Sequence, residues 1–96
     1  MIKVIVGYKV RKDEDLQPIL LKLRSHAMQY PGFISAENLV SEKDSSIIAV
    51  EYIWRAGEHW RLWEESSIRQ AILHEAEALL EEEPRVTIYS IMPTVR

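Results

Sequence analysis

The sequence predicts an α+β fold, an antiparallel four-stranded sheet with helices on one face, in the order strand, helix, strand, strand, broken helix, strand. Three observations point to it. Apolar side chains alternate at Ile2, Val4, Val6, Tyr8 and Val10, the period of two that places them on one face of a strand. Leu16, Ile19, Leu20, Leu23, Ala27 and Tyr30 then recur at helical spacing. Two β-rich runs, FISAENLVSE from Phe33 and SIIAVEYIW from Ser46, meet at the turn-like EKDSS, close enough in sequence to pair as a hairpin. This βαββαβ order is the ferredoxin-like arrangement.

The remaining boundaries follow from capping chemistry. Asp15 is the expected N-cap of the first helix, because that choice puts Pro18 at the third helical position, where a missing N–H breaks no helical hydrogen bond. Pro31-Gly32 stops this helix. After the hairpin, RAGEHWRLWEE reads as a short helix. Ser67 and Gln70 form the S-x-x-Q pattern of a capping box, which predicts a break near Ser66-Ser67 and a second helix over IRQAILHEAEALLEEE. Pro84 closes that helix, and RVTIYSIM is the last strand.

Composition narrows the function. The 96 residues suit a single domain, 1–96, held by packing alone, since the chain has no cysteine for a disulfide, a thiolate metal site or a thiol nucleophile. Twelve basic against 15 acidic residues leave a net charge of -3, without the footprint of a phosphate-backbone binder, so nucleic acid is not an expected partner. Lys3 and Lys9 interrupt any signal-peptide core in MIKVIVGYKV, and no apolar run approaches the ~18 residues of a membrane span. A soluble, cytoplasmic protein with no membrane association is expected.

The second sheet face is also apolar. Ile5, Gly7, Ile34, Ala36, Val40, Ile47, Ala49 and Ile53, or their neighbours of opposite parity, leave little polar surface for water. The chain has no segment left to cover that face, so a second copy is the economical cover and a homodimer through the sheet face is expected. Glu37, Asn38 and Glu51 are the polar exceptions, at the margin of such an interface or inside a pocket.

Among residues that carry chemistry, His26, His59 and His74 are too far apart and lack the H-x-x-x-H or H-x-E spacing of a metal site. No glycine-rich phosphate loop and no nucleophile motif occurs, and Glu81-Glu82-Glu83 reads as a solvated helix end. Trp63 and His74 are of more interest. On an unbroken helix they would share a face about 16 Å apart; a break at Ser67 lets the rings converge over the sheet. The competing reading makes Trp60, Trp63 and Ile68 a buried stripe with His74 on its edge.

The stretch PGFISAENLV, the strand end Glu51-Tyr52-Ile53-Trp54, the short helix, the serine and the second amphipathic helix together resemble the antibiotic biosynthesis monooxygenase family of small dimeric α+β barrels. With the first strand and helix included, the resemblance spans the chain. It implies a homodimer whose two sheets build a barrel, with a cavity between sheet and helices in each subunit. Family members include cofactor-independent oxygenases of phenols or quinols and a branch that binds and degrades haem. The family often places a histidine nine positions after the strand-end tryptophan, and here that position is Trp63. Trp63 and Ser66 match the haem-degrading branch instead, yet its axial histidine falls ten residues after the tryptophan, not eleven as His74 does, and its first-strand asparagine is replaced by Val6 or Gly7.

The resemblance thus implies cofactor-independent oxidation of a small aromatic or quinol-type substrate, with His74 as the catalytic base and Trp63, Trp54 and Tyr8 shaping the cavity. The alternatives are a haem-binding or haem-degrading protein and a non-catalytic dimeric small-molecule-binding or sensing module.

Overall fold

The computed structural model describes residues 1–94. Strands β1 (Ile2–Lys9), β2 (Phe33–Val40), β3 (Ile47–Trp54) and β4 (Arg85–Ser90) form one sheet in the order β2-β3-β1-β4, with every neighbouring pair antiparallel. Helices α1 (Gln17–Ala27), α2 (Gly57–Glu64) and α3 (Ser67–Ala76) cover one face, and a single 3-10 turn, Glu77–Leu79, follows α3. The βαββαβ expectation holds, with the second helical segment broken as its serines predict. None of the helices is long and apolar enough to cross a membrane.

The core lies where the alternating residues of β1 put it. Val4, Val6, Tyr8 and Val10 are buried together with Val50, Tyr52 and Trp54 of β3, beneath Leu16, Ile19, Leu20, Leu23 and Ala27. Trp60 and Trp63 of α2 and Ile72 and Ala76 of α3 complete it. Three indoles with no exposed surface in a chain this short represent a large apolar payload, each worth several kcal/mol by the cost of truncating such a ring, about 3 to 5.

Several boundaries differ from the sequence expectation, each for a local reason. Helix α1 begins at Gln17 with Leu16 at the cap position, and the Asp15 carboxylate instead accepts the Gln17 N–H at 3.0 Å from just outside the helix. The cap of α3 is Ser66 rather than Ser67: its backbone is extended (φ -66, ψ 144) and its Oγ accepts the Arg69 N–H at 3.1 Å. Helix α3 stops at Ala76 and does not run to Glu83. The chain is captured there by the end of β1, where Leu80 pairs with Val10. Arg11 N–H donates to the Leu79 carbonyl at 2.8 Å and Glu81 N–H to the Lys9 carbonyl at 2.9 Å. Leu80 is buried by this move, and three glutamates are kept out of a helix C-terminus, where the macrodipole disfavours them.

An irregularity between Phe33 and Ser35 inserts Ile34 into β2 and reverses the side-chain parity beyond it. Ala36 and Val40 therefore fall on the helix side, opposite Tyr52 and Ile48, and not on the free face as the sequence pattern suggested. By register the free face carries Ile5, Gly7, Leu39, Ile47, Ala49 and Ile53, bordered by Lys3, Lys9, Glu37, Glu51, Thr87 and Tyr89. Glu37 stands directly opposite Glu51, and Lys3 pairs with Glu51 at 3.4 Å.

The helix layer does not reach β4. Val86 and Ile88 are in register with buried Val6 and Val4, yet they are 36% and 50% exposed. A groove remains between α3 and this uncovered strand.

Candidate functional site

The groove is bounded on one side by Arg69, Gln70, Leu73 and His74 of α3, and on the other by Val86 and the Glu81–Pro84 segment, with Leu80 and Glu77 closing one end; its volume is about 700 Å³. Its shape follows from the break at Ser66 and the bridge at Leu80, which fix both ends of α3 and hold it away from β4.

Arg69 is the one buried charged residue among those described, 7% exposed. The Ser66 cap puts it in the first turn of α3, from which the guanidinium folds back over the Trp60 ring, 5.3 Å from its centroid. Its Nη1 donates to the Glu64 carbonyl at 3.3 Å. Among the described residues no carboxylate forms an ion pair with it. Two phenols share this interior. Burial pushes the Tyr8 hydroxyl far above its ordinary range, with the neighbouring Tyr52 adding to the rise and the positive charge of Arg69 opposing it. Burial likewise pushes Tyr52 up to about 12, again against the charge of Arg69. Both phenols are therefore neutral, and both sense the same guanidinium.

The sequence-predicted site residues are separated. Tyr8, Trp54 and Trp63 lie in the interior, the two indoles with no exposed surface. Trp63 packs edge-on to Tyr30, 5.2 Å between centroids, and Trp54 stands edge-on to Phe33 at 5.5 Å and to Trp60 at 6.1 Å. The space expected between sheet and helices is thus filled by aromatic rings. Among the described residues the three indole N–H groups have no hydrogen-bond acceptor.

His74 points the other way. Its side chain is 81% exposed on the groove's rim, with Nδ1 3.5 Å from a Glu77 carboxylate oxygen. The convergence of Trp63 and His74 over the sheet does not occur, because α3 buries Arg69, Ile72 and Ala76, and His74, two positions beyond Ile72, is turned by about 200° from that side. Ile68, placed by the sequence in the buried stripe, is 42% exposed.

Haem does not fit these residues. The interior between sheet and helices is occupied by the indoles, Val6 and Gly7 offer no amide side chain on β1, and the imidazole of His74 lies on the other side of α3 from that interior. Among the described residues no cluster of three or more histidines and carboxylates is arranged to hold a metal ion.

Arg69 and Tyr52 were missed as site residues by the sequence reading. A signal for Arg69 was present: it shares the spacing of Ile72, Leu73 and Ala76, so the apolar face of α3 contains a charge at its first position.

No family model and no curated protein matches the chain. Solved structures do. A proposed antibiotic biosynthesis monooxygenase from Nitrosomonas europaea superposes with a TM-score of 0.84 at 16% identity, covering 97% of this chain and 100% of that one. Rv0793 from Mycobacterium tuberculosis gives 0.84 at 15% identity over 99% and 98%. SnoaB, a cofactor-independent oxygenase from Streptomyces nogalater, gives 0.82 at 10% identity over 98% and 95%. Near-complete superposition over both chains at such low identity is a statement about backbone architecture: this chain has the fold of the antibiotic biosynthesis monooxygenase structures.

Proposed function

We propose that the protein is a homodimeric, cofactor-independent oxygenase of a small aromatic or quinol-type molecule, taken up in the groove between α3 and β4. The observation that carries this reading is the groove itself, about 700 Å³, with apolar lining from Leu73, Leu80 and Val86, the buried Arg69 and a histidine beside it, and glutamates along its edge. A volume in this range suits a ring compound of two or three fused rings. The fold shared with SnoaB supports the reaction class.

In such chemistry the substrate supplies the electrons. His74 accepts the proton of a ring hydroxyl, one oxygen atom of O2 enters as a carbonyl at a ring C–H carbon ortho or para to it, and the other leaves as water with the displaced ring hydrogen and the hydroxyl hydrogen. Trp54, Trp63 and Tyr8 act one layer behind the groove, fixing the position of α2 and the sheet. A second protomer covers the free sheet face, where Ile5, Gly7, Ala49 and Ile53 have no helix above them.

The test is oxygen uptake with a panel of two- and three-ring phenols and quinols. Turnover in the wild type that falls by about 100-fold in His74→Ala, in line with the usual value of a general base, supports the reading. Equal rates in wild type and His74→Ala remove His74 from the reaction, and no protein-dependent uptake removes the oxygenase.

One observation favours a second reading, a non-catalytic dimeric binding or sensing module. The interior between sheet and helices is packed with Trp54, Trp60 and Trp63, so what binds is confined to an open groove. Ligand binding without oxygen uptake would establish this reading in place of the first.

A further inference from the structure

Arg69 combines three features that seldom occur together. It is buried, it has no carboxylate partner among the described residues, and it lies on the lining of the groove. Among the described residues its positive charge is met by the Glu64 carbonyl and by the face of Trp60. Of its fork, Nη1 has an acceptor, and the remaining N–H groups are not sealed in the interior, so they are open to an anion or to several acceptors from outside. Tyr8 and Tyr52 do not supply the charge, since burial keeps both phenols protonated.

We propose that Arg69 is the anchor for an anionic oxygen of the ligand, so that the groove takes a flat ring compound bearing a carboxylate or phenolate, with that group directed to the guanidinium and the ring along Leu73 and Val86. This rests on the groove being the ligand site and adds the charge of what it accepts. Planar recognition of a carboxylate by a guanidinium fork is the strongest pairing a neutral-pH site offers to a small organic anion.

The rim is acidic, and its effect is limited. Glu82 is paired with Arg85 at 3.2 Å, while Glu77, Glu81 and Glu83 are exposed to water and salt, which screen them far more than they screen a buried charge. The rim therefore disfavours multiply charged anions and admits a singly charged, largely apolar one.

The experiment compares 1-naphthoate with its neutral analogue 1-naphthamide, by quenching of tryptophan fluorescence and by calorimetry. Binding of the naphthoate at least tenfold tighter than the naphthamide in the wild type, with the preference abolished in Arg69→Met and partly kept in Arg69→Lys, is the expected result. Unchanged naphthamide affinity in Arg69→Met shows that the groove is intact in that variant. Equal affinity for the two compounds in the wild type overturns the proposal and needs no variant at all. So does a preference that survives Arg69→Met, or the absence of binding by either compound at millimolar concentration. Failure of oxygen uptake with the naphthoate preference retained removes the oxygenase and leaves the anion site standing.

Discussion

The imidazole of His59 rests directly on the Cα of Gly32. Gly32 has a φ of 85°, and a Cβ built there would overlap the ring at Cγ, Nδ1 and the His59 Cβ. The contact ties the start of α2 to the connection between α1 and β2, where the Gly32 carbonyl also accepts the Arg55 N–H at 2.8 Å. Gly32→Ala combines a left-handed backbone penalty of roughly 1 to 2 kcal/mol with an overpacking cost of about 1 to 3. Adding His59→Ala to that variant removes the overlap with the ring and keeps the one with the His59 Cβ, so the double variant should be destabilised by less than the sum of the two single changes while retaining part of the overpacking cost. Urea denaturation of the four proteins of this cycle checks it, and strict additivity would show that the contact carries no strain.

The helix break is assigned to one serine. Ser66→Ala loses the bond from its Oγ to the Arg69 N–H and should cost about 1 kcal/mol, whereas Ser67→Ala, one residue inside α3, should cost less than about 0.5. Since the same cap positions Arg69, Ser66→Ala should also weaken naphthoate binding more than naphthamide binding. Chemical denaturation and the two titrations read both effects.

Stability should decline at alkaline pH through Tyr52. Burial pushes it up to about 12 from the ordinary phenol value of 10.0, so the native state holds the proton where the unfolded chain releases it. The stabilisation is complete below pH 10 and is lost as pH rises from 10 toward 12, on the order of 2 to 3 kcal/mol in all. Tyr8 is raised further and acts with the same sign. Tyrosinate absorbance should appear late, alongside unfolding, and Arg69→Met should delay it more, because the Arg69 charge holds both phenols down. Ionisation of all four tyrosines near pH 10 in the folded protein would contradict the burial of these two.

Covering the free face gives a prediction on assembly. Sedimentation should find a dimer at micromolar concentration, and Ile53→Lys, which places a charge on that face between Ser35 and Lys3, should shift it to a monomer or weaken association by at least 100-fold, as an unpaired charge in an interface core does. A stable wild-type monomer would leave the apolar face unexplained.

Much of the architecture is written in short-range patterns. The period-two run of β1 and the helical spacing of α1 each report burial on one side of a regular element, and both sets of residues are buried as read except Ile2 and Tyr30, which are half-buried against the core. What failed was parity and reach. One inserted residue, Ile34, reverses every side chain after it in β2, and no composition rule reveals an insertion of one. Helix α3 ends early because Val10, seventy residues before Leu80, offers it a strand partner, a long-range contact that local propensity does not encode. The site was harder still. Trp63 and His74 shared a plausible geometry in sequence, but the direction of a side chain on a restarted helix depends on which residues the sheet buries. Arg69 was visible only as a charge among apolar positions.

The bridge between Val10 and Leu80 has a consequence for how this chain tolerates change. Glu81 and Arg85 are both anchored to β1, at Lys9 and Gly7, two residues apart, so the intervening segment is a short detour whose endpoints are held by the sheet. Such a closed excursion can be lengthened with little entropic penalty, and nothing in the tryptophan core would register the addition. It also forms one wall of the groove, so insertions there would remodel the mouth of the site while sparing the scaffold, offering a route by which one backbone could be retuned for ligands of different size.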